Sequence, residues 1–77
     1  MPNLDYDTFL KKYSLAISHL EKRLDTKESK TKLAMSLYQD MLSNKINMDS
    51  VTNDVKLFFQ GNTLSQLKLN DYVQKYK

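Results

Sequence analysis

The residues able to do chemistry in this chain are few, and their spacing says more about what they cannot do than what they can. His19 is the only histidine, and it falls between Ser18 and Leu20 with no cysteine anywhere in the chain. A metal site needs further histidine, cysteine or convergent carboxylates at ligand spacing, and none accompanies it. His19 therefore reads as a boundary residue beside an apolar stripe. No serine stands in a glycine-flanked elbow of the kind that exposes a nucleophile. Asp5 and Asp7 are two apart at a helix start, so their carboxylates point in different directions and do not form an acid–base pair. A single glycine excludes a glycine-rich phosphate loop. No catalytic residue, metal or cofactor is expected, and the chain is read as not an enzyme.

Two other groups of side chains suggest binding. Lys22, Arg23, Lys27, Lys30 and Lys32 form a basic segment, diluted by Glu21, Asp25 and Glu28. It has one arginine for bidentate contacts and no interleaved aromatics, which is poor equipment for nucleic acid. The second and third helices expected below resemble a helix-turn-helix in outline. The recognition helix would carry Asp49 and Asp54 against a lone Lys56, and those acids repel phosphate. Nucleic acid is thus the less favoured partner. The aromatic residues are the better handle: Phe58 and Phe59 are adjacent and point about 100° apart on a helix. One packs inward while the other is left as an anchor for a protein or peptide partner. Tyr72 and Tyr76 read either as lids on the core or as contacts of the same kind.

The elements that must position these side chains are helices. Seventy-seven residues make one domain, with 40% apolar and 27% charged residues and a net charge of +3 that a solvated surface accounts for. One Gly and one Pro leave few turns, which disfavours a many-turned β fold. No apolar run approaches the ~20 residues that cross a bilayer. With Asp5 and Asp7 in the opening segment there is no secretory pattern either, so a cytoplasmic location is expected. Tyr6, Phe9, Leu10, Tyr13, Ile17, Leu20 and Leu24 recur at helical spacing and predict one helix over 5–24, after a short frayed lead of residues 1–3. Leu33, Ala34, Leu37, Tyr38, Met41 and Leu42 predict a second over 29–44, with Asp25 and Glu28 spaced as a capping box. Val51, Val55, Phe58 and Phe59 predict a third over 50–60, capped by Asn47 or Asp49 and closed by Gly61. With Asn47 as the cap, Ile46 and Val51 hold the two positions of a hydrophobic staple. A fourth helix over 63–76 follows a Thr63–Gln66 capping box and offers Leu64, Leu67, Leu69, Val73 and Tyr76, with a weak point at Asn70–Asp71. Short connections make this an all-α, compact antiparallel four-helix bundle, monomeric or weakly dimeric.

Two family resemblances follow. HLEKRLDTKESK (His19–Lys30), TKLAMSLYQDMLSNKI (Thr31–Ile46) and NMDSVTNDVKLFF (Asn47–Phe59) resemble the last three helices of bacteriocin immunity proteins, small lysine-rich bundles of Gram-positive bacteria. The resemblance covers about Ser14 to Phe59. It implies a non-enzymatic protein acting by protein–protein contact, with a membrane receptor met at its cytoplasmic side as partner. Its recognition residues would be Phe58, Phe59 and the Leu64–Tyr76 region, including Leu69, Tyr72 and Tyr76. The order Phe9-Leu10, Leu37, Gln39, Leu42, Lys45-Ile46, Thr52 and Val55, followed by an amphipathic helix, is similar to the TAFH domain. That similarity implies a groove for hydrophobic peptide motifs of transcription regulators. A short chain opening with Met leads us to expect a complete small bacterial or phage protein. A small DNA-binding phage or plasmid regulator is the reading from another class.

Overall fold

Helix caps set the element boundaries. In the computed structural model, which describes residues 4–77, the helices are α1 (Tyr6–Lys12), α2 (Ser14–Arg23), α3 (Lys27–Leu42), α4 (Met48–Phe59) and α5 (Thr63–Tyr76). The lead expected over residues 1–3 lies outside the described residues. Asp5 caps α1 by accepting from the Thr8 amide at 2.7 Å. Asn47 caps α4 and Asn62 caps α5, each accepting from two amides of the first turn.

Three boundaries differ from the expectation. Thr26 caps α3, accepting from the Ser29 amide, so Asp25 and Glu28 are not its capping box. Asn62 caps α5, which makes Thr63 the first helical residue and not the cap. The helix expected over 5–24 is two, divided at Tyr13, so the described residues form five helices and not four. Tyr13 N–H donates to Phe9 and Ile17 N–H to Tyr13, both at 3.0 Å, so two hydrogen bonds flank a bend at Tyr13, whose own φ of −111° and ψ of 22° interrupt the helix. No proline or glycine marks it. Tyr13 is buried at the bend, and its hydroxyl donates to Asp49 at the start of α4.

Two helices end in the same way. Asn44 (φ 58°) and Gly61 (φ 92°) take the left-handed conformation after α3 and α4. In each turn the next amide reaches five residues back: Lys45 to the Asp40 carbonyl at 2.8 Å, Asn62 to the Leu57 carbonyl at 3.0 Å. Gly61 has no Cβ to oppose that geometry, and asparagine tolerates it better than most residues.

The described residues contain no strand, and the fold is all-α. The radius of gyration is 12.0 Å, close to the roughly 11–12 Å of a folded chain this long. Phe9, Ala16, Leu20, Leu33, Leu37, Met48, Val51, Val55 and Leu69 are enclosed at its centre, contributed by all five helices. Ile46 packs on this core and Val51 is wholly inside it, as the staple positions require. The helix α5 runs unbroken through Asn70–Asp71. Its inward face, however, is Ser65, Leu69 and Val73, while Leu64 and Leu67 are 68% and 62% exposed. The expected apolar stripe is corrected at those two leucines.

Candidate functional site

Among the described residues, no three His, Asp or Glu side chains gather to hold a metal, and three surface depressions are open and mostly polar. One of them, about 500 Å³, lies between α4 and α5 against Ser50, Asn53, Asp54, Lys68, Asp71 and Tyr72. Asp54 is buried, yet it is not a free base: one carboxylate oxygen accepts from Tyr72 at 3.2 Å, and Lys68 Nζ stands 4.0 Å from the other.

The tyrosines of this molecule close it. Tyr13 donates to Asp49, Tyr38 to the Leu4 carbonyl, Tyr72 to Asp54 and Tyr76 to Asp40, each bond joining separate elements. Burial together with the acceptor carboxylate pushes the Tyr72 and Tyr76 hydroxyls above the ordinary phenol range. Tyr72 and Tyr76 are therefore interhelical clasps, half-buried with their hydroxyls already committed. Replacing Tyr76 by Phe keeps the ring and removes the bond to Asp40, a carboxylate that Lys75 also approaches at 3.7 Å. Thermal unfolding of Tyr76→Phe should show a loss of ~1–2 kcal/mol; an unchanged melting temperature would mean the clasp carries no stability.

Leu69, the third α5 residue expected at a contact surface, is completely enclosed. Its side chain fills the core and offers nothing to a partner, which corrects that assignment. Phe58 is half-buried and Phe59 is 61% exposed, dividing the pair between core and surface as the 100° offset requires.

Around this pair the structure gathers residues that are far apart in sequence. The ring of His19, on α2, lies 5.2 Å from both Phe58 and Phe59, whose own centroids are 5.9 Å apart. Arg23, one turn along α2, donates through Nε to His19 Nε2 at 2.9 Å and through a terminal nitrogen to Asn70 Oδ1 on α5 at 2.9 Å. Its guanidinium also covers the Phe58 ring at 4.8 Å. Partial burial, then the positive charges of Arg23 and Lys22, hold the His19 imidazole below its usual pKa of 6.5. The only arginine of the basic segment is thus committed inside the molecule, and Lys32 pairs with Glu28 in the open, a contact of little energetic weight. Sequence reading placed His19 at a boundary but had no signal for its partners, since Asn70 lies 47 residues from Arg23.

The result is a braced platform: Phe59 stands out from the surface while His19 and Phe58 fix its ring from behind. It offers an apolar face to solvent. Leu64 and Leu67, the two most exposed large apolar side chains after α4, follow within eight residues. Comparison of the chain with protein-family models, curated proteins and solved structures finds no match in any of the three.

Proposed function

We propose that this chain is a non-enzymatic binding protein whose contact surface is the Phe59 platform, and that its partner is another protein. The observation that carries the reading is Phe59 itself, an aromatic side chain 61% exposed yet packed against His19 and Phe58. Large aromatic anchors dominate binding energy when they enter a partner's pocket, and one already held in place loses less entropy on binding. Exposed Lys56 on α4 and Lys68 on α5, with a net charge of +3, favour an apolar partner surface with an acidic rim. The more specific form is an immunity-type accessory protein in a compact antiparallel bundle. It would work in the cytoplasm on a membrane receptor's inner face, and it draws on the resemblance over about Ser14 to Phe59. No helix among the described residues is long and apolar enough to cross a membrane, so such a receptor is met from outside the bilayer. The polar linings of the depressions give no support to a TAFH-like peptide groove.

Wild type and Phe59→Ala, tagged and used in parallel on extract of the source cell, test the reading. One protein should be enriched by wild type and reduced tenfold or more by the substitution, a loss of at least ~1.4 kcal/mol. Because Phe59 is mostly exposed, the variant should retain the helical circular dichroism of wild type. Enrichment of nucleic acid alone, or equal capture by both proteins, would overturn it. Expression in a bacteriocin-sensitive strain tests the specific form, and unchanged sensitivity would remove it.

A further inference from the structure

The histidine behind Phe59 is held in one protonation state by its surroundings. Because Arg23 donates to His19 Nε2, that nitrogen must carry a lone pair, which leaves the ring proton on Nδ1. A second proton can enter only at Nε2, the atom occupied by the guanidinium. Imidazolium cannot accept a hydrogen bond, and two cations would then meet at the 2.9 Å separation of Nε and Nε2. The groups acting on the ring offer no relief. From α2 they are Arg23 and Lys22, both cationic; from α4 they are the Phe58 and Phe59 rings, which do not titrate. From α5 the neutral Asn70 amide reaches Arg23 and not the ring.

From this geometry we infer that the platform contains a proton-operated latch: protonation of His19 drives Arg23 away from the ring, frees it from Asn70 and Phe58, and loosens the seat of Phe59. Resting on the reading of Phe59 as the contact surface, the latch makes that contact strongest at neutral pH and weaker on mild acidification. The proton comes from solvent and no covalent bond changes. The sign of the linked stability agrees. With the folded pKa below the unfolded 6.5, the stabilisation is complete above 6.5 and is lost as pH falls through the folded value.

The experiment is a pH titration of the isotope-labelled full chain by NMR from pH 8 to 5, without any partner. At pH 8, Nε2 should show the nitrogen shift of an unprotonated acceptor and the Arg23 Nε–H should exchange slowly. Below 6.5 that Nε–H signal should be lost, and the Phe58 and Phe59 ring signals should move with the same midpoint. Two variants keep the test decisive. His19→Gln retains an acceptor and should abolish the pH dependence of the phenyl signals, whereas Arg23→Gln removes a neighbouring cation and should raise the His19 midpoint towards 6.5. A wild-type midpoint at or above 6.5 with the arginine and phenyl signals unmoved would overturn the latch, as would a phenyl transition that persists in His19→Gln. These signals come from the free protein. A flat titration therefore removes the latch and leaves partner capture standing, and failure of the Phe59→Ala capture experiment removes the binding reading alone.

Discussion

Phe9→Ala should remove ~3–5 kcal/mol of stability, the usual cost of emptying a fully enclosed phenylalanine site. Phe9 has no exposed surface, and its ring lies 5.1 Å from Tyr38 of α3, 5.5 Å from Tyr13 at the bend and 6.4 Å from Tyr6. Tyr6 in turn meets Tyr38 edge-on at 5.3 Å. Deleting the ring therefore leaves a void and strips three tyrosines of their neighbour, and such aromatic pairs are each worth ~0.5–1.5 kcal/mol beyond area alone. A domain of this length has about 4–12 kcal/mol in total, so the variant should lose a large share of its stability. Urea unfolding followed by circular dichroism measures it, with Phe9→Leu, which keeps most of the apolar volume, expected to lose much less. A cost below ~1 kcal/mol for the alanine variant would mean that α1 does not dock through Phe9.

What the sequence discloses and what it conceals divide along physical lines. Periodicity discloses a helix whenever its inward face is apolar, and α3, α4 and the Tyr6–Leu24 stretch all satisfy that. Gly61 was legible because a free left-handed φ at the exit is a role few residues supply, whereas Asn47 was one of two candidates, since Asp49 is a short acceptor too. The division at Tyr13 had no such local cause, since no proline or glycine stands there and the ring's destination is Asp49, 36 residues away. Asp25 and Thr26 both carry a side-chain oxygen ahead of α3, and only the chain's path into that helix selects Thr26. The face of α5 was misread for a tertiary reason. Leu69 and Val73 of the expected stripe do face inward, but Ser65 joins them there and Leu64 and Leu67 are left in solvent. The candidate site was half legible. Phe58 and Phe59 could be named as a pair because adjacent phenylalanines cannot share one direction, but which of them faces out could not be read. His19, Arg23 and Asn70 could not be named with them, because α2, α4 and α5 must be assembled before they meet.

Leu69→Ala separates the core from the proposed contact surface, because it should behave in the opposite way from Phe59→Ala. Leu69 is 0% exposed, near the middle of α5, on the face that packs against the other helices. Truncating an enclosed leucine costs ~2–5 kcal/mol, through lost transfer energy and the cavity left behind. At roughly 4–8 °C per kcal/mol for a domain this small, the melting temperature should fall by at least ~8 °C. Phe59→Ala, removing a ring that is mostly in solvent, should stay within a few degrees of wild type while partner capture drops. Any capture lost by Leu69→Ala should return when the assay is run well below its lowered melting temperature, because the platform residues are intact. If Leu69→Ala instead melts like wild type and capture stays low in the cold, the leucine would be a contact residue after all. The docking of α5 would then have to change, and with it the Arg23–Asn70 bond that braces the platform.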